Sequence, residues 1–439
     1  DIFSFYGKEF SFDYEQFKIN LTNVDSLGLR AYSGELDRNG NPILKKVRTV
    51  IEGINGELLI DNFENKSGIK EFPEFPVIKS FGDSYVYYDK KEVENGVYKR
   101  DDFYFQVRPF EIDSLDNFSN DQLRFEGSFT SNIFPEFDEA LTVQSDMSLG
   151  FIRQAPPGGY PTYGGKGQFH NTIKLSNKGL RGDGKLEYLT STTLSDDFKF
   201  YPKSVEALAQ SHVLAEVKTG TEFPSVQGDS VNINWKPQED VFYTTAVTNN
   251  SLAFYDMRSY FRGTTALRPN GLSGNGVFIF EKANLASKNM IFQNTVFDAD
   301  TADFELLEEN NSGFALNTAN VKAHVDYKGR FAEFKPNGED DPIFFPTNQY
   351  LCFMEEFKWY MDNGMIDLTG KAQNTVSADV KLEGSKFIST KAEQDSLFFY
   401  SPIARFDSRR HIISAFDVKY ITTGDAKVFP DSGAVVIRK

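Results

Sequence analysis

The sequence predicts an all-β protein with internal repeats, and three observations carry that prediction. Aromatic residues make up 15% of the chain, with 43 Phe, 20 Tyr and 2 Trp, and aromatic side chains favour pleated strands. Seven Asn-Gly steps supply the positive φ angles that tight hairpin turns require. A glycine block at 179–184 returns at 271–276, which is 92 residues later (271 − 179).

The first region, residues 1–154, is predicted to consist of short aromatic strands joined by tight turns. Phe10, Phe12 and Tyr14 alternate with other residues, and the run 17–21 continues with the same period. A period of two places these side chains on one face of a strand. We therefore expect that face to be buried.

Residues 155–167 are rich in Pro, Gly and Tyr, and we place a linker or loop there. Proline cannot donate a hydrogen bond to a β-ladder and glycine weakens one. The remainder, 168–439, is predicted to be a repeat-containing β region. Its two copies span about 168–202 and 260–306, and a looser third echo covers about 388–421.

The repeat spacing is compatible with two architectures. A β-solenoid or β-helix-like array would use roughly 20–30 residues per coil, so that one repeat would hold three or four coils. Tandem β-sandwich modules would need about 100 residues each. We favour the solenoid because the similarity between the copies is densest in one short glycine-strand block.

One short helix is predicted near 204–218. Ser204 is placed to cap it, and Gly220 lies just past its end. Four residues of this run recur at helical spacing, with three apolar side chains and one histidine: Val205, Leu208, Ala209 and His212.

Charge and cysteine content narrow the classes of partner. The chain has 47 Lys and Arg against 63 Asp and Glu, a formal net charge of −16, which disfavours nucleic acid and anionic membrane surfaces. The single cysteine, Cys352, allows neither an internal disulfide nor a thiolate metal cluster. No apolar run approaches the ~18 residues of a transmembrane helix, so no such segment is predicted.

The repeated glycine block has the pattern Gly-x-x-Gly-x-Gly and is predicted to form repeat corners. It lacks the Lys-Ser/Thr of a phosphate-binding loop, and both copies lead into strand-like sequence rather than a helix. No cofactor is therefore predicted there. The corner glycines are Gly179, Gly182, Gly184, Gly271, Gly274 and Gly276.

Two sets of side chains are candidates for ligand binding. Asp298, Asp300 and Asp303 could hold calcium, although a glycine would be needed at 303 for an EF-hand loop, and a solvated strand edge explains them as well. Four aromatic residues could stack on sugars or could be core: Tyr160, Tyr163, Trp235 and Trp359. The four histidines share no triad or metal spacing, and no catalytic residue is nominated.

Three stretches, 175–184, 345–354 and 426–433, resemble segments of very large uncharacterised β-rich cell-envelope proteins of Bacteroidetes. The last part of the chain, with the runs 395–397 and 404–407, also resembles the β-jellyroll repeats of lipopolysaccharide-transport proteins. The first resemblance implies a fragment of a longer extracytoplasmic protein, located in the periplasm, at the outer membrane or on the cell surface. It transfers no catalytic residue.

Three functions are compatible with these observations. The first is a non-enzymatic structural or interaction scaffold of the cell envelope, which binds other envelope proteins or the rest of a longer chain. The second is a polysaccharide-binding or polysaccharide-degrading β-helix, which requires a groove with clustered basic and carboxylate groups; Arg262, Arg268 and Lys282 are its basic candidates. The third is a lipid-carrying β-groove lined by phenylalanine.

Overall fold

The structure, a computed structural model, describes residues 2–115, 119–248, 250–309, 313–370, 374–377 and 380–439. Strands dominate these residues, and every strand pair with a defined register is antiparallel, as in the pairs β2–β3, β15–β16 and β36–β37. The all-β prediction is confirmed. The finer choice between a solenoid and sandwich modules stays a prediction.

The chain divides into two units. Unit 1 comprises Asp1–Leu208 and Asn234–Glu239, and unit 2 comprises Ala209–Ile233 and Asp240–Lys439. The Pro/Gly/Tyr-rich stretch at 155–167 lies within unit 1 and contains a short strand, Tyr160–Thr162.

The strands of unit 1 range in length from two to eleven residues. They are β1 (Phe3–Tyr6), β2 (Glu9–Asp13), β3 (Lys18–Val24), β4 (Ser26–Leu36), β5 (Pro42–Ile51), β6 (Ile54–Leu59), β7 (Val77–Ser80), β8 (Ser84–Tyr87), β9 (Phe103–Val107), β10 (Glu111–Ile112), β11 (Phe125–Ser131), β12 (Phe137–Val143), β13 (Leu149–Gln154), β14 (Tyr160–Thr162), β15 (Gly167–Ser176), β16 (Gly179–Tyr188) and β17 (Ser191–Phe200).

The division between the units falls within the next two strands, β18 (Val205–Leu214) and β19 (Val226–Lys236). The strands of unit 2 follow. They are β20 (Val241–Ala246), β21 (Leu252–Phe254), β22 (Ser259–Arg268), β23 (Gly271–Phe280), β24 (Ala283–Phe292), β25 (Val296–Leu307), β26 (Phe314–Asp326), β27 (Phe331–Pro336), β28 (Ile343–Phe345), β29 (Tyr350–Cys352), β30 (Glu356–Tyr360), β31 (Met365–Thr369), β32 (Asn374–Ser377), β33 (Val380–Glu383), β34 (Ser385–Ser389), β35 (Phe398–Ser401), β36 (Ile403–Asp407), β37 (Ile412–Phe416), β38 (Ile421–Thr423), β39 (Ala426–Val428) and β40 (Val435–Ile437).

Helical structure among the described residues is limited to single turns. The α-helix α1 spans Phe63–Lys66, and the Asn62 side chain caps it by accepting a hydrogen bond from the Glu64 amide. Three-residue 3₁₀ turns occur at Glu94–Gly96, Asn120–Gln122, Pro237–Glu239 and Ala392–Gln394. None of these helices is long and apolar enough to cross a membrane.

The N-terminal part of unit 1 forms two small sheets. One has the strand order β1-β4-β5 and the other β10-β7-β6-β3-β2. Strands β8, β9 and β11 to β17 form an antiparallel run, with β9 between β8 and β11 and with β15 paired to β13, β14 and β16. In the five-stranded sheet, strand β2 is the last strand.

The same three-strand meander occurs twice at an offset of 92 residues. Strands β15, β16 and β17 have bounds that reappear, residue for residue, in β22, β23 and β24. Their pairing registers also correspond, because Phe169 faces Leu186 and Phe261 faces Phe278. The sequence similarity between 168–202 and 260–306 thus reflects the same local structure.

The prediction that all six repeated glycines form corners is wrong for four of them. Gly179 and Gly271 follow turns and begin their strands, whereas the other four lie inside β16 and β23. A Cβ at Gly182 would be 2.5 Å from the Phe169 ring and 2.7 Å from the Phe200 ring. Gly274 faces the equivalent pair of phenylalanines, so these glycines make room for core rings.

The glycines two residues later, Gly184 and Gly276, are required by the backbone conformation and not by core packing. Gly184 and Gly276 have φ angles of +148° and +156°, at a bulge that both copies share. A Cβ at either position would lie 2.1 Å or 2.2 Å from a carbonyl oxygen of the neighbouring strand. Glycine is required because no other residue can approach the strand so closely.

The predicted helix near 204–218 is also wrong, since Val205–Leu214 is strand β18. The burial alternates, with Val205, Ala207 and Ala209 buried and Leu208 61% exposed. Ser204 does not cap a helix. Its carbonyl accepts a hydrogen bond from the Tyr201 amide and so closes the turn between β17 and β18. The apolar residues fit both periods, and the strand pattern prevails.

Aromatic rings fill the interior of each unit. In unit 1 Phe129 contacts Phe103, Phe137 and Phe151, with ring centroids between 5.1 and 5.5 Å apart. In unit 2 Phe278 is fully buried and packs against Phe297 at 4.6 Å. The alternating phenylalanines therefore contribute mainly to packed cores.

Candidate functional site

Strand β2 combines a free edge with exposed aromatic side chains. It pairs with β3 on one side, with Phe10 opposite Leu21 and Phe12 opposite Ile19. Within the part of the chain that the structure describes, no strand pairs with its other side. An edge strand of this kind presents backbone N–H and C=O groups that can pair with another chain.

The side chains of β2 are as unusual as its edge. Phe12 is 52% exposed and Tyr14, just after the strand, is 74% exposed. Their rings lie 6.2 Å apart in an edge-to-face arrangement, and the Tyr14 ring lies 5.6 Å from that of Phe17. The Lys66 ammonium group lies 3.5 Å from the centre of the Phe17 ring. We call Phe10, Phe12, Tyr14 and Phe17 the edge aromatic cluster.

The turn that presents this cluster is ordered by hydrogen bonds. The Asp13 carboxylate accepts from the backbone amides of Glu15 and Gln16, each at 3.0 Å, and these bonds order the turn between β2 and β3. In the neighbouring strands, Lys18 and Glu57 form an ion pair at 3.1 Å. The cluster is thus held in place without being buried.

The first 81 residues are enriched in exposed apolar side chains. Among the described residues, 24 large hydrophobic side chains are exposed, and ten of them lie in this segment. Large exposed apolar patches commonly mark interaction sites. The sequence predicted the alternation of Phe10, Phe12 and Tyr14 correctly, but the expectation that this face is buried is wrong. The cause is the edge position of β2, which the sequence pattern does not encode.

The four aromatic residues proposed for sugar stacking are mostly interior. Tyr160, Trp235 and Trp359 are 8%, 0% and 2% exposed, so they cannot offer an open ring face. Tyr160 accepts a hydrogen bond from Arg153 Nε, and Trp359 packs against Phe280. Tyr163 is partly buried, and its ring lies edge-on to Trp235 with centroids 5.3 Å apart.

The three candidate calcium ligands have separate partners in unit 2. Asp298 Oδ1 lies 2.7 Å from His324 Nδ1, and Asp300 Oδ1 lies 3.4 Å from Lys322 Nζ. Asp303 accepts a hydrogen bond from the Asn320 amide at 3.1 Å. Among the described residues, no group of three or more His, Cys, Asp or Glu side chains is placed to hold a metal ion.

The three basic residues attached to the repeat are spread along the meander of unit 2. Arg262 and Arg268 lie on β22, and Lys282 lies in the turn after β23. Lys282 Nζ donates a hydrogen bond to the Glu309 carbonyl at 3.2 Å.

Two buried titratable groups, both in unit 2, have shifted pKa values. Burial lowers the pKa of His212 to about 4, and the imidazole stacks on the Phe242 ring at 5.4 Å. Burial raises the pKa of the Cys352 thiol well above its usual range, so the thiol is protonated and unsuited to nucleophilic attack. Both side chains are therefore core residues.

Comparison of the chain with protein-family models, with curated proteins and with solved structures finds no match in any of the three.

Proposed function

We propose that the chain is a non-enzymatic interaction scaffold of the bacterial cell envelope, which binds an extended segment of a partner protein along strand β2. The observation that carries this proposal is the free edge of β2 together with its exposed aromatic side chains. A partner strand that pairs with the edge would place its own apolar side chains beside Phe10 and Phe12.

The chemistry of the edge determines what kind of segment it would bind. Backbone hydrogen bonds would supply affinity that is independent of sequence, and the alternating aromatic rings would favour apolar residues at every second position of the partner. A segment that carries aromatic or β-branched residues in this pattern would form cross-strand pairs with the edge aromatic cluster.

The location in the cell envelope and the origin in a longer chain rest on the resemblance to large Bacteroidetes envelope proteins. A partner there would be another envelope protein or another part of the same polypeptide. A solenoid and a series of sandwich modules would both serve as a scaffold, because either extends a β-framework along the chain. The lipid-groove alternative has less support, since the phenylalanines on which it depended pack against one another.

A random dodecapeptide library displayed on phage would test the proposal. We expect selection on the wild-type protein to enrich peptides with apolar residues at alternate positions. The enriched peptides should bind the double variant F12S/Y14S at least about tenfold more weakly, a loss of about 1.4 kcal/mol. Phe12 and Tyr14 are exposed, so these substitutions should leave the fold intact.

Phe81→Ser provides the matched control, because Phe81 is 61% exposed and follows β7 of the same sheet. Its peptide affinity should stay within about twofold of wild type. Failure to enrich any peptide, or equal losses in the F81S and F12S/Y14S variants, would show that β2 is not a docking edge.

A further inference from the structure

Unit 1 contains a cleft of about 900 Å³, a volume typical of ligand-binding sites. Its walls come from the loop 94–102, the turn after β17, the residues that follow β14 and the 3₁₀ turn at Pro237–Glu239. We call it the unit 1 cleft and define it by six lining residues: Glu94, Lys99, Asp102, Lys166, Tyr201 and Lys203.

The wall at Glu94 is built from a strained backbone and a dense set of hydrogen bonds. Glu94 and Asn95 both have positive φ angles, +43° and +58°, which residues other than glycine seldom adopt. Glu94 Oε1 lies 3.0 Å from Arg181 Nη2, and Glu94 Oε2 accepts a hydrogen bond from the Tyr201 hydroxyl at 3.1 Å. Such strain persists where surrounding contacts hold it, and it concentrates at binding sites.

The Tyr201 hydroxyl acts as a hydrogen-bond donor to Glu94. Burial, together with the nearby Glu94 carboxylate, raises the pKa of its hydroxyl to about 12. The hydroxyl therefore remains protonated at neutral pH. The Tyr163 hydroxyl donates to the Tyr201 carbonyl at 2.6 Å, and the Tyr163 ring packs on buried Trp235.

The carboxylates of the cleft are largely engaged. Glu94 pairs with Arg181, which also contacts Asp197, and Glu206 accepts a hydrogen bond from the Asn234 side-chain amide at 3.2 Å. Asp102 remains as the one lining carboxylate without a side-chain partner in the described part of unit 1. Two of the three lining carboxylates are thus held by side-chain hydrogen-bond donors.

Two of the three ammonium groups of the cleft have fewer partners than two of the three carboxylates do. Lys166 Nζ donates to the Pro237 carbonyl at 2.6 Å. Lys99 and Lys203 line the cleft, and neither has an ion pair or a side-chain hydrogen bond within the described ranges. Elsewhere in the unit, Lys18 and Lys185 are paired with glutamates at 3.1 and 2.6 Å.

Three lysines thus converge on one cleft of a chain whose net charge is −16. Within the described part of unit 1, two of these ammonium groups are unpaired, against one unpaired carboxylate, and an excess of one sign of charge on a concave surface attracts counter-charged ligands. Amide side chains also line the cleft, at Asn95, Asn132 and Gln238, and they can both donate hydrogen bonds to hydroxyl groups and accept them. A ligand that combines anionic groups with many hydroxyl groups matches this lining.

From this lining we propose that the unit 1 cleft binds an acidic oligosaccharide. Lys99 and Lys203 would contact its acidic groups, and the amides and the Glu94–Tyr201 pair would face its hydroxyl groups. This site is separate from the β2 edge and does not depend on the partner-binding role proposed above.

Isothermal titration with oligosaccharides of matched length would test the proposal. The acidic probes are tetragalacturonate, an alginate tetramer, a hyaluronan tetramer and a sulfated dextran oligomer, and the neutral probes are cellotetraose and maltotetraose. We expect at least one acidic probe to bind with a Kd below about 1 mM and the neutral probes to bind at least about tenfold more weakly. The carboxylated and sulfated probes distinguish which acidic group is recognised.

Two double variants assign the binding to the cleft. Lys99→Met with Lys203→Met should weaken the acidic probe about tenfold or more. Lys91→Met with Lys288→Met removes the same two charges at exposed positions outside the cleft and should change the Kd by less than about twofold. Circular dichroism verifies that both variants are folded.

Three outcomes would overturn the proposal. They are the absence of binding by every acidic probe, tighter binding of a neutral probe, and equal losses in the two double variants. A failure of peptide binding at β2 would leave these results unaffected, so the two proposals can fail independently.

Discussion

Gly179 lies directly against Tyr98, since a Cβ at position 179 would be 2.8 Å from the tyrosine hydroxyl oxygen. That hydroxyl donates a hydrogen bond to the Phe200 carbonyl at 2.9 Å and accepts one from the Leu180 amide at 3.0 Å. Tyr98 therefore joins the loop beside the unit 1 cleft to the first strands of the repeat. Gly179 also has a φ of +83°, so both space and backbone conformation require glycine there.

Gly179→Ala should lower the free energy of unfolding by about 2–4 kcal/mol, because it adds a steric clash to an unfavourable φ angle. Chemical denaturation monitored by tryptophan fluorescence would measure this loss. Gly40→Ala is the matched control, since Gly40 has a φ of +86° and a Cβ added there would have no neighbouring atom within 4 Å. It should cost only about 1 kcal/mol. Equal losses would mean that contact with Tyr98 is not the determining factor.

Tyr98→Phe should lower the free energy of unfolding by about 1–3 kcal/mol. The substitution removes one hydroxyl and leaves a buried amide and a buried carbonyl without their partner. Tyr104→Phe serves as the control, because no hydrogen bond of the Tyr104 hydroxyl occurs within the described ranges and its loss should cost less than about 0.5 kcal/mol. A Tyr98→Phe protein as stable as the control would contradict the assigned role.

Sequence patterns predicted the strands better than they predicted the faces of the strands. The 92-residue offset is visible as two glycine blocks, and the strand bounds follow it from Gly167 to Phe200 and from Ser259 to Phe292. The role of Gly182 was hidden, because the rings that occupy its missing Cβ position come from neighbouring strands. Tertiary contacts of this kind leave no local signal. The helix prediction over 205–214 failed for a different reason, because the spacing of its residues fits both a helix and a strand.

The candidate sites were the least predictable part of the molecule. Trp235 and Trp359 were candidates for stacking on sugars, yet both are buried. Lys99 and Lys203 are unremarkable in sequence and lie about 100 positions apart (203 − 99), so only the fold places them in one cleft. The edge position of β2 likewise depends on sheet order, which hydrophobic periodicity does not specify.

His212 should make the protein less stable in mild acid. Its pKa is lowered to about 4 by burial, so the folded state holds the neutral imidazole while the unfolded state takes up a proton below about 6.5. The contribution to stability is therefore complete above that pH and is lost as the pH falls towards 4, by up to about 3 kcal/mol. Urea denaturation at a series of pH values would measure it.

His212→Phe removes the titrating group and keeps an aromatic ring against Phe242. The difference in unfolding free energy between this variant and wild type should change with pH between about 6.5 and 4, in favour of the variant at low pH. A difference that is constant over this range would show that His212 does not titrate on unfolding.

Cys352 should report global unfolding of the segment around it. The thiol is fully buried and its pKa is raised, so a disulfide reagent such as DTNB should not react with it in the native protein. Reaction should appear in parallel with unfolding in urea. Rapid labelling at zero denaturant, with the circular dichroism spectrum unchanged, would show instead that the strand around Cys352 opens locally.

A row in which acidic side chains alternate with His, Lys and Arg crosses the outer side of unit 2. Six side chains lie opposite one another on successive strands β25, β26, β27, β30, β31 and β36, as their registers show. Three of the adjacent pairs are in contact, each at 2.7 Å. In strand order the row is Asp298, His324, Glu333, Lys358, Asp367 and Arg405.

A double-mutant cycle on Lys358 and Glu333 tests whether the row stabilises the sheet. These side chains are 34% and 49% exposed, so solvent screens their interaction. We therefore expect a coupling free energy of only about 0.3–1 kcal/mol between the substitutions K358M and E333Q. The coupling should fall as salt rises from about 0.05 to 1 M, because exposed charges are screened within a few ångströms at high salt. Lys358→Met combined with Asp340→Asn should be additive, since Lys358 and Asp340 form no ion pair in the described part of unit 2. A coupling that is zero, or that does not depend on salt, would show that the row contributes shape and solubility to this face but no electrostatic stability.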